Sequence, residues 1–432
     1  MSLAVSTTVV FAGLFTSSWD RFGNLSVGTF NIRVSTLLFA LALTLTLADM
    51  ATRPSGGKHL HIVSLALIIP LVFGIMGMFS GDRSAAMNQL VVIVLGAVVP
   101  FFSIYLNLRT FGKADQMLTA FIWGGAFASW FGLYQLGAFY LGLPQVVSYR
   151  AEGGGLGRIS SFSYEAAYFA YFLILIIAAM FARAALRNVP INRLHFGFFL
   201  LVLVLSNSRA TVFTLLLLAL LVWTRTTRDE SRRKIWPIFV ASGIIAIIAI
   251  LAFQQFFVAL GQRFLTIFDP TEQSSNAPRV NLYETAWRIA QDHLATGIGG
   301  GNLISYLPQY GLANAAGVTP NSVVANNAWL QALLDGGVVL LAIQLVFVVV
   351  AITTLYRKAI PATRLLTAGW ISTLVVSSML TSFYFNASLW AVLALAVGVA
   401  HVEITDKLRQ PDEHLSSPAD TLSRPRFERV SL

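Results

Sequence analysis

About a dozen apolar stretches follow one another along this chain, and Lys and Arg crowd into every second gap between them. Lipid offers no partner to an open backbone N–H or C=O, so segments of this kind cross a bilayer only as helices or as a closed barrel. Continuous apolar runs, without strict alternation, select helices. The composition agrees: 56% of the 432 residues are hydrophobic, 11% are charged, and mean hydropathy is +0.72. These values exclude an ordinary soluble domain and give an all-α polytopic membrane protein. A net charge of +10 would point to nucleic acid in a soluble chain. Here the positive-inside rule accounts for it, and no nucleic-acid partner is expected. The absence of cysteine excludes disulfides, thiolate chemistry and Cys-based metal sites.

We read twelve spans, at about 3–18, 31–48, 60–79, 88–107, 116–142, 160–182, 194–206, 209–224, 235–257, 327–353, 364–382 and 387–404. Met1 to Ser18 lacks the basic start of a secretory signal and reads as a first, short span. The gaps assigned to the cytoplasm hold Arg53 and Lys58; Arg109 and Lys113; Arg183, Arg187 and Arg193; Arg225, Arg228, Arg232, Arg233 and Lys234; and Arg357, Lys358 and Arg364. With Lys407, Arg409, Arg424, Arg426 and Arg429 of the tail, they make up 20 of the 29 basic residues and place both termini in the cytoplasm. Residues 1–404 then form one transmembrane domain, with a single large outer loop, 258–326, between the ninth and tenth spans. Residues 405–432 read as a disordered cytoplasmic tail.

The parity of this arrangement rests on His195 to Trp223, a stretch long for one span and short for two. A single span would put two basic loops on opposite sides. Two short helices broken at Ser206-Asn207-Ser208-Arg209 fit better. That polar turn then lies below the outer surface, where irregular backbone and an Arg persist only beside protein or a water-filled cavity.

The outer side keeps Arg21, Arg33, Arg83, Arg150, Arg158, Arg209, Arg263, Arg279 and Arg288, and no Lys. Arg presents a planar fork suited to bidentate phosphate contact and never loses its charge. The bias suits a polyanionic ligand; for each residue singly, pairing with Asp or Glu or anchoring at the interface is the competing reading. In the large loop, Pro278 can open a helix. Tyr283, Ala286, Trp287, Ala290 and Leu294 form an apolar stripe, with Arg279, Glu284, Arg288 and Asp292 off it. Such a helix would lie on the membrane surface or on the bundle's outer face. Gly297-Ile298-Gly299-Gly300-Gly301-Asn302 reads as a turn, since no strand precedes it and no Gly-Lys-Ser/Thr follows. Gly153-Gly154-Gly155-Leu156-Gly157 is a weak phosphate-loop signal.

Ionisable groups at membrane depth are functional candidates. Glu165 is expected about two turns into the sixth span and Asp335 about two turns into the tenth, just before Gly336-Gly337. For Asp335, packing or capping at a helix break is the preferred reading. Asn326, Asn327, Gln331 and Asn386 add neutral polar groups, for which hydrogen bonding between helices competes with a substrate role.

Together these residues resemble the bacterial O-antigen polymerase and O-antigen ligase superfamily, the Wzy/WaaL group. Arg158 to Glu165 resembles that group's outer-loop Arg leading into a Phe and an acidic residue. Ser206-Asn-Ser-Arg209-Ala is similar to its Ser-Arg turn between two short spans. Arg279 to Asn302 is similar to its large-loop segment. Asn326-Asn327-Ala-Trp-Leu330, continuing to Asp335-Gly336, resembles its His-Asn-x-x-Leu…Glu-x-Gly segment, with Asn326 where ligases carry His.

The resemblance implies a GT-C-like, metal- and cofactor-free glycosyltransferase in the bacterial inner membrane, with its site facing the periplasm. Its substrates would be undecaprenyl-diphosphate-linked glycan donor and acceptor. Glu165, Arg209 and Arg279 would be catalytic, and Arg158, Arg288, Asn326 and Asn327 substrate-binding. His293 is a lesser alternative base. Asn326 favours the polymerase branch over the ligase branch, which transfers glycan to lipid A core. A lipid-linked-oligosaccharide flippase or transporter is the reading from another class, although no second broken helix pair matches the first. Chain-length control in such pathways involves a partner, but nothing in the sequence marks an interface for one.

Overall fold

The computed structural model describes residues 2–27, 30–52, 61–147, 158–206, 208–225, 277–312, 325, 327–356, 361–378 and 387–409, with backbone alone at 2–4, 26–27, 30–31, 61, 209–212, 223–225, 277–280 and 403–409. The expected ninth span, the Gly153–Gly157 stretch, Asn326 and residues 410–432 lie outside the described residues.

The described chain is a helical bundle with one small hairpin. Its helices are α1 (Ser2–Phe15), α2 (Val34–Thr52), α3 (His61–Gly77), α4 (Arg83–Phe111), α5 (Ala114–Leu141), α6 (Ala166–Arg187), α7 (Arg193–Leu205), α8 (Arg209–Arg225), α9 (Ala277–Asp292), α10 (Ala328–Tyr356), α11 (Pro361–Ser377) and α12 (Ala387–Arg409). Of these, α2, α4, α5, α6 and α10 are long and apolar enough to cross a membrane, and α1, α3, α7, α8 and α12 contain shorter apolar helical segments. The chain is an integral membrane protein. At the expected parity break, α7 and α8 are separate helices of 13 and 17 residues.

Three boundaries differ from expectation. Residues 31 and 32, placed in the second span, belong to an antiparallel hairpin of β1 (Leu25–Val27) and β2 (Phe30–Ile32), and α2 starts after it. The sixth span was expected from 160, but Ser160–Ser163 form a turn and α6 begins at Ala166. At the other end of the chain, α12 runs to Arg409, so the first residues of the expected tail are helical.

The centre of the bundle is α6. Every residue from Phe169 to Ala182 is buried, because α5, α7, α8, α11 and α12 surround it. A helix apolar on all sides needs such a position. Against α11 the approach is close: a Cβ on Gly369 would lie 2.2 Å from the Ala178 Cβ. Around this centre, α12 packs along α4, and α1 lies between α2 and α5.

A second, smaller core joins the large loop to α10. Ala286, Ile289 and Ala290 of α9 are fully buried against Leu330, Leu333 and Leu334 of α10. The expected stripe is therefore divided. Ala286 and Ala290 face the core with Ile289, while Tyr283, Trp287 and Leu294 are exposed. Beyond α9, Tyr310 donates to Asp292 at 2.6 Å, and this bond pushes the Tyr310 phenol above its ordinary range.

This junction is locked where α10 breaks. Gly336 and Gly337 leave helical geometry, with φ +63° at Gly337. The released backbone groups bond to the loop: Ile298 N–H donates to Leu334 O at 2.6 Å, and Val338 N–H donates to Leu294 O at 2.9 Å. Gly297, at φ +69°, and Gly337 meet so closely that a Cβ on either would lie 2.4 Å from a carbonyl oxygen of the other segment. Gly337→Ala should therefore lower stability by more than the roughly 1–3 kcal/mol of left-handed backbone strain alone. Gly197 of α7 has open space around its Cα, so Gly197→Ala should be neutral or slightly stabilising. Thermal unfolding of the two variants in detergent checks both outcomes.

Candidate functional site

Two pairs of the segments singled out from the sequence meet towards one end of the bundle: Arg158–Glu165 with the α7–α8 turn, and Leu294–Asn302 with α10. This end holds the C-terminus of α1, the N-termini of α6, α10 and α12, the α7–α8 turn and the C-terminus of α11. Hydrogen bonds between elements stitch it together. Arg21 N–H donates to Phe162 O at 2.9 Å, Ser388 Oγ to Ser17 O at 3.2 Å, Ala328 N–H to Ser378 O at 2.7 Å, and Ile159 N–H to Leu205 O at 3.5 Å. Through the last of these, the segment carrying Arg158 and Glu165 sits against the turn that leads to Arg209.

Glu165 is exposed and occupies the N-cap of α6 in extended conformation, φ −139° and ψ 153°. Its carboxylate makes no capping bond to its own helix. It thus stands at the mouth of the bundle and not two turns deep. The positive end of the α6 dipole favours a negative charge there. Arg158, at the start of the same segment, is partly buried. Arg209 opens α8 directly after Ser208, and Arg279 lies in the first turn of α9; neither side chain is among those described. Arg288 is exposed on α9, off the face that packs on α10.

At the start of α10, Asn327 caps the helix: its Oδ1 accepts from Trp329 N–H and Leu330 N–H, both at 3.0 Å. That oxygen is occupied by local structure. Gln331 Oε1 accepts from Ala325 N–H at 2.8 Å, and Gln331 Nε2 donates to Asp335 Oδ1 at 2.7 Å. Asp335 is buried at the α10 break, where the sequence reading placed a structural role. The Gly297–Gly301 turn lies between this break and the α3–α4 connection. A Cβ on Gly299 would lie 2.2 Å from Ser80 Cβ and one on Gly300 2.0 Å from Phe73 Cζ, while Asn302 Nδ2 donates to Asp82 O at 3.3 Å. Nearby, His293 makes an edge contact with Tyr306.

Two supporting groups escaped sequence reasoning. The first is one face of α5, formed by Ala128, Phe131, Gly132 and Gln135. Phe131 stacks on the buried Phe162 with ring centroids 4.1 Å apart, and Trp19, Phe22 and Phe127 close around the same ring. Gln135 Oε1 accepts from the backbone of Ser160 and Ser161. The helical spacing of these four residues was visible; what they hold was not.

The second is the ion pair between Asp20 and Arg33, 2.9 Å apart, which ties the α1 end to the start of α2. Ser163, in the turn before α6, hydrogen-bonds the Asp20 carboxylate. Burial pushes that carboxyl above its usual range, against the opposing pull of Arg33 and Ser163. Among the described residues, no three His, Asp or Glu side chains group as metal ligands. The polar inventory of this end is guanidinium, carboxylate and carboxamide, which suits an anionic, hydroxyl-rich ligand.

A family model described as O-Antigen ligase matches residues 194–345. The matched stretch contains the Ser206–Arg209 turn, the Arg279–Asn302 segment and the Asn326–Asp335 segment, and stops short of Arg158–Glu165 on the N-terminal side. No curated protein matches the chain.

Because burial raises the Asp20 carboxyl, its ionised form costs stability as pH rises from the unfolded value through the folded one. Arg33 offsets that cost. Arg33→Met should destabilise the protein by about 1.5–3 kcal/mol at pH 8, the range for a lost charge-assisted hydrogen bond. The loss should shrink at pH 5, where protonating Asp20 is cheaper. Thermal unfolding of variant and wild type at the two pH values checks the sign.

Proposed function

We propose that this chain, which belongs to the superfamily of O-antigen polymerases and ligases, extends lipid-linked glycans by polymerisation. In this reading it is a GT-C-like inner-membrane enzyme with twelve spans and cytoplasmic termini. Its site faces the periplasm, where it moves a growing glycan from polyprenyl diphosphate onto a hydroxyl of an incoming carrier-linked repeat unit. The observation that supports it most is the meeting of the Arg158–Glu165 segment with the α7–α8 turn, through Ile159 and Leu205, at one end of the bundle.

The chemistry follows from the leaving group. As the anomeric C–O bond breaks, charge develops on diphosphate oxygens. In this reading Arg209 and Arg279, together with Arg158 and Arg288, offer positive charge to that developing anion. Preorganised donors of this kind lower a barrier without proton transfer and supply the charge a divalent ion supplies elsewhere. Glu165 accepts the proton of the attacking hydroxyl. Its place at the α6 N-cap, exposed to the space outside the bundle, gives an acceptor sugar access to the carboxylate. Asn326 or Asn327 orients that sugar.

One observation favours a second reading. The matching family model is described as an O-antigen ligase, which would make lipid A core the acceptor. Asn326, where ligases carry His, opposes it. A flippase of lipid-linked oligosaccharide would need no exposed carboxylate at the start of α6. Purified protein given polyprenyl-diphosphate-linked repeat units should produce a mass ladder, unaffected by chelator. Arg209→Ala, Arg279→Ala and Glu165→Gln should each fold and lose about 10²–10³ in kcat. Transfer only after lipid A core is added would assign the ligase branch, and no transfer to either acceptor would sink the glycosyltransferase reading.

A further inference from the structure

We propose that Gln135 is a positioning residue: its carboxamide oxygen holds the turn before α6 in the one conformation that places Arg158 and Glu165. The proposal rests on the reading of those two residues as substrate-contacting groups. Gln135 lies in the interior of α5, a mostly apolar helix, and is 2% exposed. A buried carboxamide is costly unless it is used. This one is used through its oxygen, which accepts from Ser161 N–H at 2.9 Å, from Ser160 N–H at 3.2 Å and from Ser160 Oγ at 3.5 Å. Two converging backbone donors fix which end of the amide is oxygen. Among the described residues the buried nitrogen has no hydrogen-bond partner. Packing alone would be better served there by Leu or Met.

The turn needs such a holder. Ser161 sits at φ +52°, a left-handed conformation that a side chain bearing Cβ rarely adopts. The other described non-Gly residue in that region is Asn188, a helix C-cap, where left-handed geometry is ordinary. At Ser161 the conformation brings two successive amides onto one acceptor. The rest of the α5 face completes the clamp. Ser161 Oγ donates to Ala128 O at 2.7 Å, Gly132 leaves room for Ile159 where a Cβ would lie 2.4 Å from its Cγ2, and Phe131 stacks on Phe162. Arg158 stands directly before this clamped stretch, and Glu165 three residues after it. Without the Gln135 oxygen the two amides lose their acceptor, and the strained turn has nothing to keep its donors converged.

Two substitutions separate positioning from packing. Gln135→Leu keeps the volume and removes the acceptor. Gln135→Glu keeps an acceptor whether the carboxyl is ionised or protonated. In the full-length protein in detergent, hydrogen exchange at Ser160 and Ser161 should rise about tenfold or more in Gln135→Leu, the change expected for losing an amide hydrogen bond. It should stay near wild type in Gln135→Glu. In the mass-ladder assay, kcat should fall at least about tenfold in Gln135→Leu with KM for the lipid-linked donor changed much less, because misaimed groups fail in the transition state. Gln135→Glu should restore kcat.

If Gln135→Leu does not fold, Gln135→Met carries the same measurement. Unchanged exchange in the folded Leu or Met variant, or wild-type kcat in it, overturns the proposal. If wild type itself transfers no glycan, the enzymatic reading fails, and the exchange comparison still decides whether Gln135 holds the turn.

Discussion

Every interruption of a helix inside an apolar bundle strands backbone donors and acceptors, and the structure depends on how each interruption is met. The break at Gly336-Gly337 is met by the 294–298 segment, with one hydrogen bond running in each direction. Only glycine permits the approach, since both Gly297 and Gly337 have positive φ and would drive a Cβ into a carbonyl. The break in α10 and the turn after α9 are thus two halves of one joint. The joint seats α9 on α10, and its Gly299–Gly301 half reaches across to α3 and α4.

The turn before α6 meets the same demand differently. Its amides are answered by a side chain, Gln135, and its aromatic ring is buried in a cage of rings from α5 and from the segment that follows α1. The opposite end of the bundle is held by charge: Asp115, at the start of α5, binds both Arg183 at 3.0 Å and Arg187 at 2.8 Å at the end of α6. One carboxylate between two guanidiniums leaves that end net positive, in keeping with the basic gaps there. Between the ends, Asn107 of α4 hydrogen-bonds Ser6 and Thr46 at 3.3 Å, linking α1, α2 and α4.

Hydropathy and loop charge made most of the helices legible, including the division of the 195–223 stretch at Ser206–Arg209, because lipid forces long apolar runs into helices. Boundaries failed where local chemistry overrode the run. The hairpin at 25–32 has strands of three residues, too short to show a period. Ser160–Ser163 looked continuous with the sixth span because nothing in the segment announces that Gln135, 25 residues earlier, takes up its amides. The apolar stripe of α9 was visible, but not its division, since Ala286 and Ala290 turn inward with Ile289 only because α10 lies there. The candidate site was legible as residue types in order. Its assembly rests on pairs such as Ile159 with Leu205 and Ala328 with Ser378, which no local pattern encodes.

The placement of α6 has a consequence for how the protein is made. It is surrounded by helices from both ends of the sequence: α5, α7 and α8 are its near neighbours in the chain, while α11 and α12 come almost two hundred residues later. The last helix also reaches back to the first, where Ser388 bonds to the carbonyl of Ser17 across a separation of 371 residues. During synthesis α6 therefore cannot be enclosed on all sides until residues 361–402 have been made. A chain stopped before residue 361 leaves the faces of α6 that α11 and α12 cover open.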